Sequence, residues 1–162
     1  GNMVKPDNIL FAHYDSIQTG AVDNASGVSV VLALIIDQPE LQNNNLFVFS
    51  GNEELSYDKP TYWGRGFRAF EKKHKKLLAK AKKILVIDSV GQTKPIVYKN
   101  KKLINLAFPI LTKMFLNKTS IISGEFNPLM RIYHSDLDLP KEIKPKYLEQ
   151  VMAIILQNVS TV

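Results

Sequence analysis

The sequence predicts an α/β fold in which a largely parallel β-sheet lies between helices. Three apolar runs of four residues have the length and composition of buried strands: 9–12, 46–49 and 84–87. The segment 28–36, between the first two runs, is apolar and long enough for a helix. The segment between the second and third runs has its apolar side chains on one side of a helix: Phe67, Phe70, Leu77 and Leu78. Strands that alternate with helices form parallel sheets with right-handed crossovers, so these runs indicate the α/β class.

The chain beyond Gly91 continues this alternation. A strand is expected at residues 95–98 and another near residues 121–122, with a helix at about residues 103–115 between them. The last element is a helix at residues 147–159, where apolar side chains recur every three or four positions. We therefore expect this last helix to pack on the sheet.

The composition is that of a protein with one core. A length of 162 residues with 45% hydrophobic content allows a single domain, which we expect at residues 3–162. Gly1 and Asn2 precede Met3 and resemble the remnant of a cleaved expression tag. No apolar run approaches the about 20 residues that cross a bilayer, and the start lacks a secretory signal, so a soluble, cytoplasmic protein is expected. Cysteine is absent, so any metal must be bound through nitrogen and oxygen.

The positive charge is concentrated in one segment. The formal net charge is +6, and residues 72–83 contain seven lysines around His74. A charge run at helical spacing is usually a solvated helix face. The segment has no interleaved aromatic residues and no known nucleic-acid-binding motif. We therefore expect neither a nucleic acid nor a membrane as partner.

Polar side chains that can bind metals follow each of the three early strands. His13 and Asp15 follow the first strand, Glu53 and Glu54 the second, and Asp88 the third. Each alone could be an ordinary charged residue where a strand leaves the core. Because the carboxyl ends of parallel strands lie at one edge of the sheet, we expect these side chains to converge. The carboxylates would then repel one another unless divalent cations neutralised them.

The local patterns suggest a division of roles. Asp15 lies two residues after His13 on an extended segment and could orient its imidazole, or could instead stabilise a turn. Of the adjacent pair Glu53 and Glu54, one could bind a metal and the other could act as a general base, although both could be solvated. Asp23 lies in a segment of small residues before the first helix, where it could bind metal or cap that helix.

The imidazole ligands can come from few positions. His74 lies among lysines and is expected to be exposed. His13 and His134 are therefore the only plausible imidazole ligands of the chain's three histidines.

Five short segments resemble, in order, the motifs of the M28 family of zinc aminopeptidases: AHYDS, GAVDNASG, SGNEEL, IDSVG and YHSDLD. The resemblance implies the phosphorylase/hydrolase-like zinc exopeptidase fold, a three-layer sandwich with a largely parallel mixed sheet. It also implies hydrolysis of the N-terminal peptide bond of peptides by two zinc ions, for which cobalt or manganese could substitute.

The same resemblance implies a role for each site residue. His13 and Asp88 would bind one zinc, Glu54 and His134 the other, and Asp23 would bridge the two. Asp15 would support His13, and Glu53 would be the general base.

Three features depart from the family pattern. The chain starts almost at the His13 strand, whereas family members usually carry further helix and strand elements before it. We therefore expect an exposed sheet edge, through which a homo-oligomer could form. The segment from Asp88 to His134 is short, and the substrate-binding loop cannot be recognised in it. The segment 56–63 is an insertion whose aromatic residues could form a pocket wall or pack on themselves.

Three alternatives remain open. The first is a glutaminyl-cyclase-like enzyme with a single zinc, as found in relatives of the M28 family. The second is a catalytically inactive module that binds metal and peptide. The third, a nucleic-acid binder that uses residues 72–83, is the least supported.

Overall fold

The computed structural model describes residues 1–55 and 61–159. A five-stranded sheet lies at its centre, with the strands in the order β2-β1-β3-β5-β4. The strands are β1 Asn8–His13, β2 Asn45–Ser50, β3 Lys83–Ile87, β4 Ile96–Tyr98 and β5 Thr119–Ser123. All neighbouring strands are parallel except β4, which is antiparallel to β5. The predicted α/β fold with a largely parallel mixed sheet is confirmed.

Helices connect the strands. The α-helices are α1 Ser26–Asp37, α2 Arg65–Lys80, α3 Lys101–Ala107, α4 Phe126–Leu129 and α5 Pro145–Val159. Short 3-10 helices form at Pro39–Asn43, Lys113–Lys118 and Pro140–Glu142. In the part of the chain that the structure describes, no helix combines the length and apolar content that a bilayer span needs.

The sheet separates two apolar cores because successive side chains of each strand point to opposite faces. Phe11 belongs to the core beneath α2 and α3, where its ring contacts Phe67, Phe70 and Phe108 at centroid distances of 5.7, 5.1 and 5.1 Å. Leu10 belongs to the opposite core, formed with α1 and α5. The result is the predicted three-layer arrangement of helices, sheet and helices.

The helix expected at residues 103–115 is shorter than predicted. It begins at Lys101, where the side chain of Asn100 accepts hydrogen bonds from the main-chain N–H groups of Lys102 and Leu103, and it ends at Ala107. Pro109 explains the early end, because a proline disfavours helical backbone at the residue before it. The apolar pattern continued past Pro109 and extended the prediction too far.

The lysine-rich segment is solvated as expected, since all seven of its lysines are exposed. His74 differs from the prediction, because it is half-buried and its ring packs on Phe70 at a centroid distance of 4.8 Å. In the predicted insertion at 56–63, residues 56–60, which include Tyr57 and Pro60, lie outside the described residues.

Candidate metal centre and adjoining cavity

The carboxyl ends of the three central strands lie side by side. His13 is the last residue of β1 and pairs in register with Ser50, the last residue of β2. Glu53 and Glu54 follow β2 after a short turn, and Asp88 directly follows β3. Because β1 lies between β2 and β3, the structure brings the side chains predicted at the three strand ends to one edge.

The Asp23 carboxylate lies at the middle of this cluster. It is supplied by the turn Ala21–Ala25, which crosses above the strand ends before α1 begins. Its Oδ1 is 3.2 Å from Nε2 of His13, and its Oδ2 is 3.7 Å from Nε2 of His134. Asp23 therefore faces one imidazole with each oxygen and does not cap α1 through its side chain.

Two groups of ligand atoms share Asp23. The first comprises His13, Asp23 and Asp88, and the second Asp23, Glu54 and His134; within each group the ligand atoms lie within 4.8 Å of one another. In the first group, Nε2 of His13 is 3.3 Å from Oδ1 of Asp88. In the second, Nε2 of His134 is 2.5 Å from Oε2 of Glu54.

The donor set fits divalent zinc. Each group offers three nitrogen or oxygen ligands, which is the number that zinc sites with an open coordination position use. Nε2 of His134 and Oε1 of Glu54 are buried without a hydrogen-bond partner, although Nε2 of His134 touches the other oxygen of Glu54. Buried polar atoms without partners are costly, and a shared cation would satisfy both.

Asp15 supports the site mainly through hydrogen bonds to the main chain of the Glu53–Glu54 segment. Its Oδ2 accepts hydrogen bonds from the main-chain N–H groups of Glu53 and Glu54, at 2.8 and 3.1 Å. Nδ1 of His13 lies 3.0 Å from the carbonyl oxygen of Asp15 but 3.7 Å from the nearer carboxylate oxygen. His13 therefore donates from Nδ1 to the Asp15 carbonyl, which directs Nε2 towards Asp23 and Asp88.

Asp138 is a further bracing residue that the sequence reasoning did not single out. This carboxylate is 1% exposed and accepts hydrogen bonds from the main-chain N–H groups of Val22, at 2.6 Å, and Asp23, at 3.0 Å. It lies four residues after His134, in the YHSDLD segment. Asp138 thus ties the His134 segment to the turn that carries Asp23.

Asn24 was also not predicted, and it joins the same turn to β3. Its amide nitrogen donates to the carbonyl of Ile87, and its Oδ1 accepts from the N–H groups of Gly27 and Ser89. A Cβ on Gly27 would lie 2.3 Å from this Oδ1, so the close approach requires glycine. The small-residue segment GAVDNASG was the only sequence signal for this packing.

The electrostatics reflect a crowded acidic cluster. Burial raises the pKa of Glu53 to about 8, and the carboxylates of Asp88 and Asp23 contribute in the same direction. Burial and the Asp23 carboxylate raise the pKa of Glu54 to about 9. Burial would lower the pKa of His13, but the surrounding carboxylates hold it well above its usual value. The cluster thus favours bound positive charge, whether protons or metal ions.

A cavity of about 570 Å³ opens directly beside the cluster. Its charged lining is the cluster itself: Asp23, Glu53, Glu54, Asp88 and His134. Most of the remaining lining is apolar or aromatic: Trp63, Tyr98, Leu103, Leu106, Ala107, Ile121, Phe126, Leu129, Met130 and Tyr133. A volume in this range is typical of sites that bind small molecules or the end of a peptide.

Comparisons with known proteins agree with this architecture. The model of peptidase family M28 matches residues 3–108. No curated protein sequence matches the chain.

Solved structures share the fold at low sequence identity. The chain is similar to a Zn-dependent exopeptidase from Parabacteroides distasonis, with a TM-score of 0.73 and 15% identity, covering 97% of this chain and 74% of that chain. A glutaminyl cyclase from Porphyromonas gingivalis gives a TM-score of 0.70 and 17% identity, covering 96% of this chain and 71% of the cyclase. An aminopeptidase from Aneurinibacillus sp. strain AM-1 gives 0.68 and 18%, covering 99% of this chain and 47% of that enzyme. This chain thus spans about half the length of the Aneurinibacillus aminopeptidase.

Proposed function

This chain belongs to peptidase family M28, and on that premise we propose that it is a zinc aminopeptidase with a two-metal site. One ion would be held by His13, Asp23 and Asp88, and the other by Asp23, Glu54 and His134. The substrate would be a peptide with a free amino terminus, and the product its first residue.

The position of Asp23 is the observation that carries this proposal. A carboxylate whose two oxygens face two different imidazoles, 3.2 and 3.7 Å away, has the arrangement of a bridging ligand. A site for a single ion would need only one of the two groups. The presence of both groups therefore supports two ions.

Zinc, when bound, would supply Lewis acidity that polarises the scissile carbonyl and positive charge against the developing oxyanion. The residues of the chain would supply the proton transfers. Oε2 of Glu53 lies 3.9 Å from Nε2 of His13, at the edge of the cluster and facing the cavity. Glu53 would take a proton from the attacking water and deliver it to the leaving amine as the C–N bond breaks.

The raised pKa of Glu53 supports this role. Burial brings the pKa of Glu53 to about 8. A carboxylate whose pKa is near the working pH can both accept a proton and return it. Neighbouring cations would lower this pKa and favour the carboxylate form that accepts a proton.

Tyr133 would assist at the substrate carbonyl. Its ring stacks on His134 at a centroid distance of 3.6 Å, and it lines the cavity. Burial and the nearby carboxylates of Asp23 and Glu54 raise the pKa of its phenol above its usual value, so the hydroxyl stays protonated. A protonated phenol beside the site can donate a hydrogen bond to the carbonyl oxygen as negative charge develops.

The charge balance favours an amino-terminal substrate. Five carboxylates surround the site when those of Asp15, Asp23, Glu53, Glu54 and Asp88 are ionised. Two divalent ions neutralise four of these charges and leave one. The remaining negative charge would attract the protonated amino group of a peptide, which supports cleavage at the first residue.

The test combines metal content with turnover. We expect two zinc ions per chain by elemental analysis, and metal-dependent cleavage of unblocked aminoacyl anilides. Glu53→Gln should lower kcat by about 100- to 10,000-fold while metal content is unchanged. Glu149→Gln, at an exposed position of α5, is the matched control and should leave kcat unchanged.

Other outcomes identify the alternatives. One zinc per chain, with release of ammonia from N-terminal glutamine and no chain cleavage, would replace the aminopeptidase by a glutaminyl cyclase. Two bound ions with no turnover of any unblocked peptide would identify a binding module.

A further inference from the structure

We infer that a second pocket, which shares Trp63 with the cavity, binds the C-terminal carboxylate of a short peptide substrate. This inference rests on the proposed function for the identity of the ligand, because the metal centre would hold the amino terminus of the same peptide. It adds a substrate class, short peptides with a free carboxylate. The residues that carry it have no part in the proposed chemistry.

The second pocket adjoins the cavity and has a volume of about 450 Å³. It lies between α2, α3 and the residues that follow α3, and we call it the basic pocket. Trp63 and Leu106 line both spaces. Nε1 of Trp63 donates a hydrogen bond of 2.7 Å to the carbonyl of Leu106, so this bonded pair forms the boundary that the two spaces share.

The two spaces carry opposite charges. The charged lining of the cavity is the acidic metal cluster, whereas the charged residues of the basic pocket are Arg68 and Lys102. Among residues 1–55 and 61–159, no aspartate or glutamate lines the basic pocket. A short peptide carries a positive amino terminus and a negative carboxyl terminus, so the charges of the two spaces are complementary to its two ends.

The polar groups of the basic pocket suit a carboxylate. Arg68 lies on α2, where its Nη1 donates to the carbonyl of Trp63, and this contact holds the guanidinium beside the indole. Guanidinium groups match the planar geometry of carboxylates. Lys102 and Asn105 are three residues apart on α3, on one side of the helix, and add an ammonium and an amide donor.

The rest of the lining favours a carboxylate on an organic body over an inorganic anion. Leu106, Pro109, Ile110 and Leu111 contribute apolar surface, and Leu111 is 67% exposed. An amino-acid side chain next to the bound carboxylate would cover this surface, whereas phosphate or sulfate would leave it in water. The pocket therefore matches the last residue of a peptide.

The walls of the basic pocket are held in place. The carboxylate of Glu71, which is 2% exposed, accepts hydrogen bonds from the main-chain N–H groups of Leu111 and Thr112. A Cβ on Gly64 would lie 2.3 Å from Cγ of Pro109, so the start of α2 closely contacts the segment after α3. The pocket is therefore largely formed before a ligand binds, as is usual for small-molecule sites.

Binding of a carboxylate without a free amino group tests the pocket. Trp63 is the only tryptophan of the chain, so its fluorescence reports on ligands in the pocket that it lines. In titrations of the zinc-loaded protein, N-acetyl-L-leucine should bind at least about tenfold more tightly than N-acetyl-L-leucinamide. Equal affinity for the acid and the amide would overturn the inference.

A pair of lysine variants locates the bound carboxylate. Lys102→Ala should weaken N-acetyl-L-leucine about twofold to fivefold, since Lys102 is exposed and its charge is screened by water. Lys101→Ala is the matched control, because Lys101 is the exposed neighbour and does not line the pocket. A carboxylate bound to zinc would not depend on Lys102, so equal affinities in the two variants would reject the basic pocket.

Peptide cleavage tests whether the carboxylate belongs to the substrate. The substrates would be L-leucylglycine, L-leucylglycylglycine and L-leucyltriglycine, each compared with its C-terminal amide. At the length that spans both spaces, kcat/KM should be about tenfold higher for the acid, and Lys102→Ala should reduce this preference but leave turnover of leucyl anilide unchanged.

Two outcomes separate this inference from the proposed function. If acids and amides are cleaved equally at every length while N-acetyl-L-leucine still binds, the pocket holds a separate anionic ligand and the inference is wrong. If no unblocked peptide or anilide is cleaved at all, the proposed function fails, and the peptide is rejected as the ligand of the pocket with it.

Discussion

The two ends of the cavity are built in different ways. At the charged end, side chains project from strand termini and from a turn that is fixed by hydrogen bonds. Asp15 holds the main chain of Glu53 and Glu54, and Asp138 holds that of Asp23. At the apolar end, the lining comes mainly from the short helices α3 and α4 and from the strands β4 and β5.

This difference separates chemistry from substrate choice. Metal ligands must be held to within fractions of an ångström, and buried hydrogen bonds to rigid strands provide that precision. An apolar wall needs only shape and surface, and exposed side chains on short helices can change without disturbing the sheet. We therefore expect substitutions of the metal ligands and of the residues that hold them to affect metal binding, and substitutions at the wall to affect substrate preference alone.

The largest effect is expected for Asp23→Asn. The amide has one acceptor oxygen and no charge, so it cannot serve both groups of ligands. Removal of a residue that only supports a metal ligand typically lowers affinity about 10- to 100-fold. Zinc affinity of Asp23→Asn, measured by calorimetric titration, should fall by more than this. Asp37→Asn, an exposed aspartate at the end of α1, should bind zinc as the unmodified protein does. Retention of two tight sites in Asp23→Asn would show that Asp23 does not bridge.

Asp138→Ala tests whether the hydrogen bonds that Asp138 accepts from the main chain of Val22 and Asp23 position the metal site. The substitution touches no proposed ligand but leaves the N–H groups of Val22 and Asp23 without acceptors. Zinc affinity should fall about 10- to 100-fold, and Asp138→Asn, which keeps one acceptor oxygen, should recover part of it. Asp136→Ala is the matched control, since Asp136 is exposed in the same segment.

A loss of fold stability in Asp138→Ala can be distinguished from a loss of the position of the metal ligands. Melting of the metal-free Asp138→Ala protein measures the stability lost through the two unsatisfied N–H groups, which cost about 1–3 kcal/mol each. If zinc affinity is unchanged while the melting temperature falls, Asp138 stabilises the fold without positioning the site.

The contrast between the two ends also explains what could be predicted from the sequence. The charged end follows from local patterns, because apolar runs define strands and the polar residues after them must meet at one edge of a parallel sheet. His13, Glu53 and Asp88 could therefore be grouped before the structure was known. Asp23 does not lie at a strand end, and its assignment to the site required the family resemblance. His134 could be selected as an imidazole ligand because His74 was expected to be exposed, but its pairing with Glu54 also required the resemblance.

The apolar end could not be predicted in the same way. Its wall combines residues from four elements in the second half of the chain, β4, α3, β5 and α4, which have no common motif. The boundary of α3 depends on Pro109, and the prediction extended that helix to residue 115. The bracing by Asp138 was also missed, because a buried carboxylate that accepts main-chain hydrogen bonds has no distinctive sequence pattern.

The smallest effect is expected for Leu103→Ala at the wall. Leu103 is 44% exposed on α3, so the substitution removes little buried surface, and stability should change by no more than about 0.5 kcal/mol. Zinc affinity should be unchanged, since α3 provides none of the proposed ligands. The kcat/KM for a leucyl anilide should fall less than about tenfold. A loss of zinc affinity in this variant would show that the wall and the metal centre are coupled, and that chemistry and substrate choice are not separate in this fold.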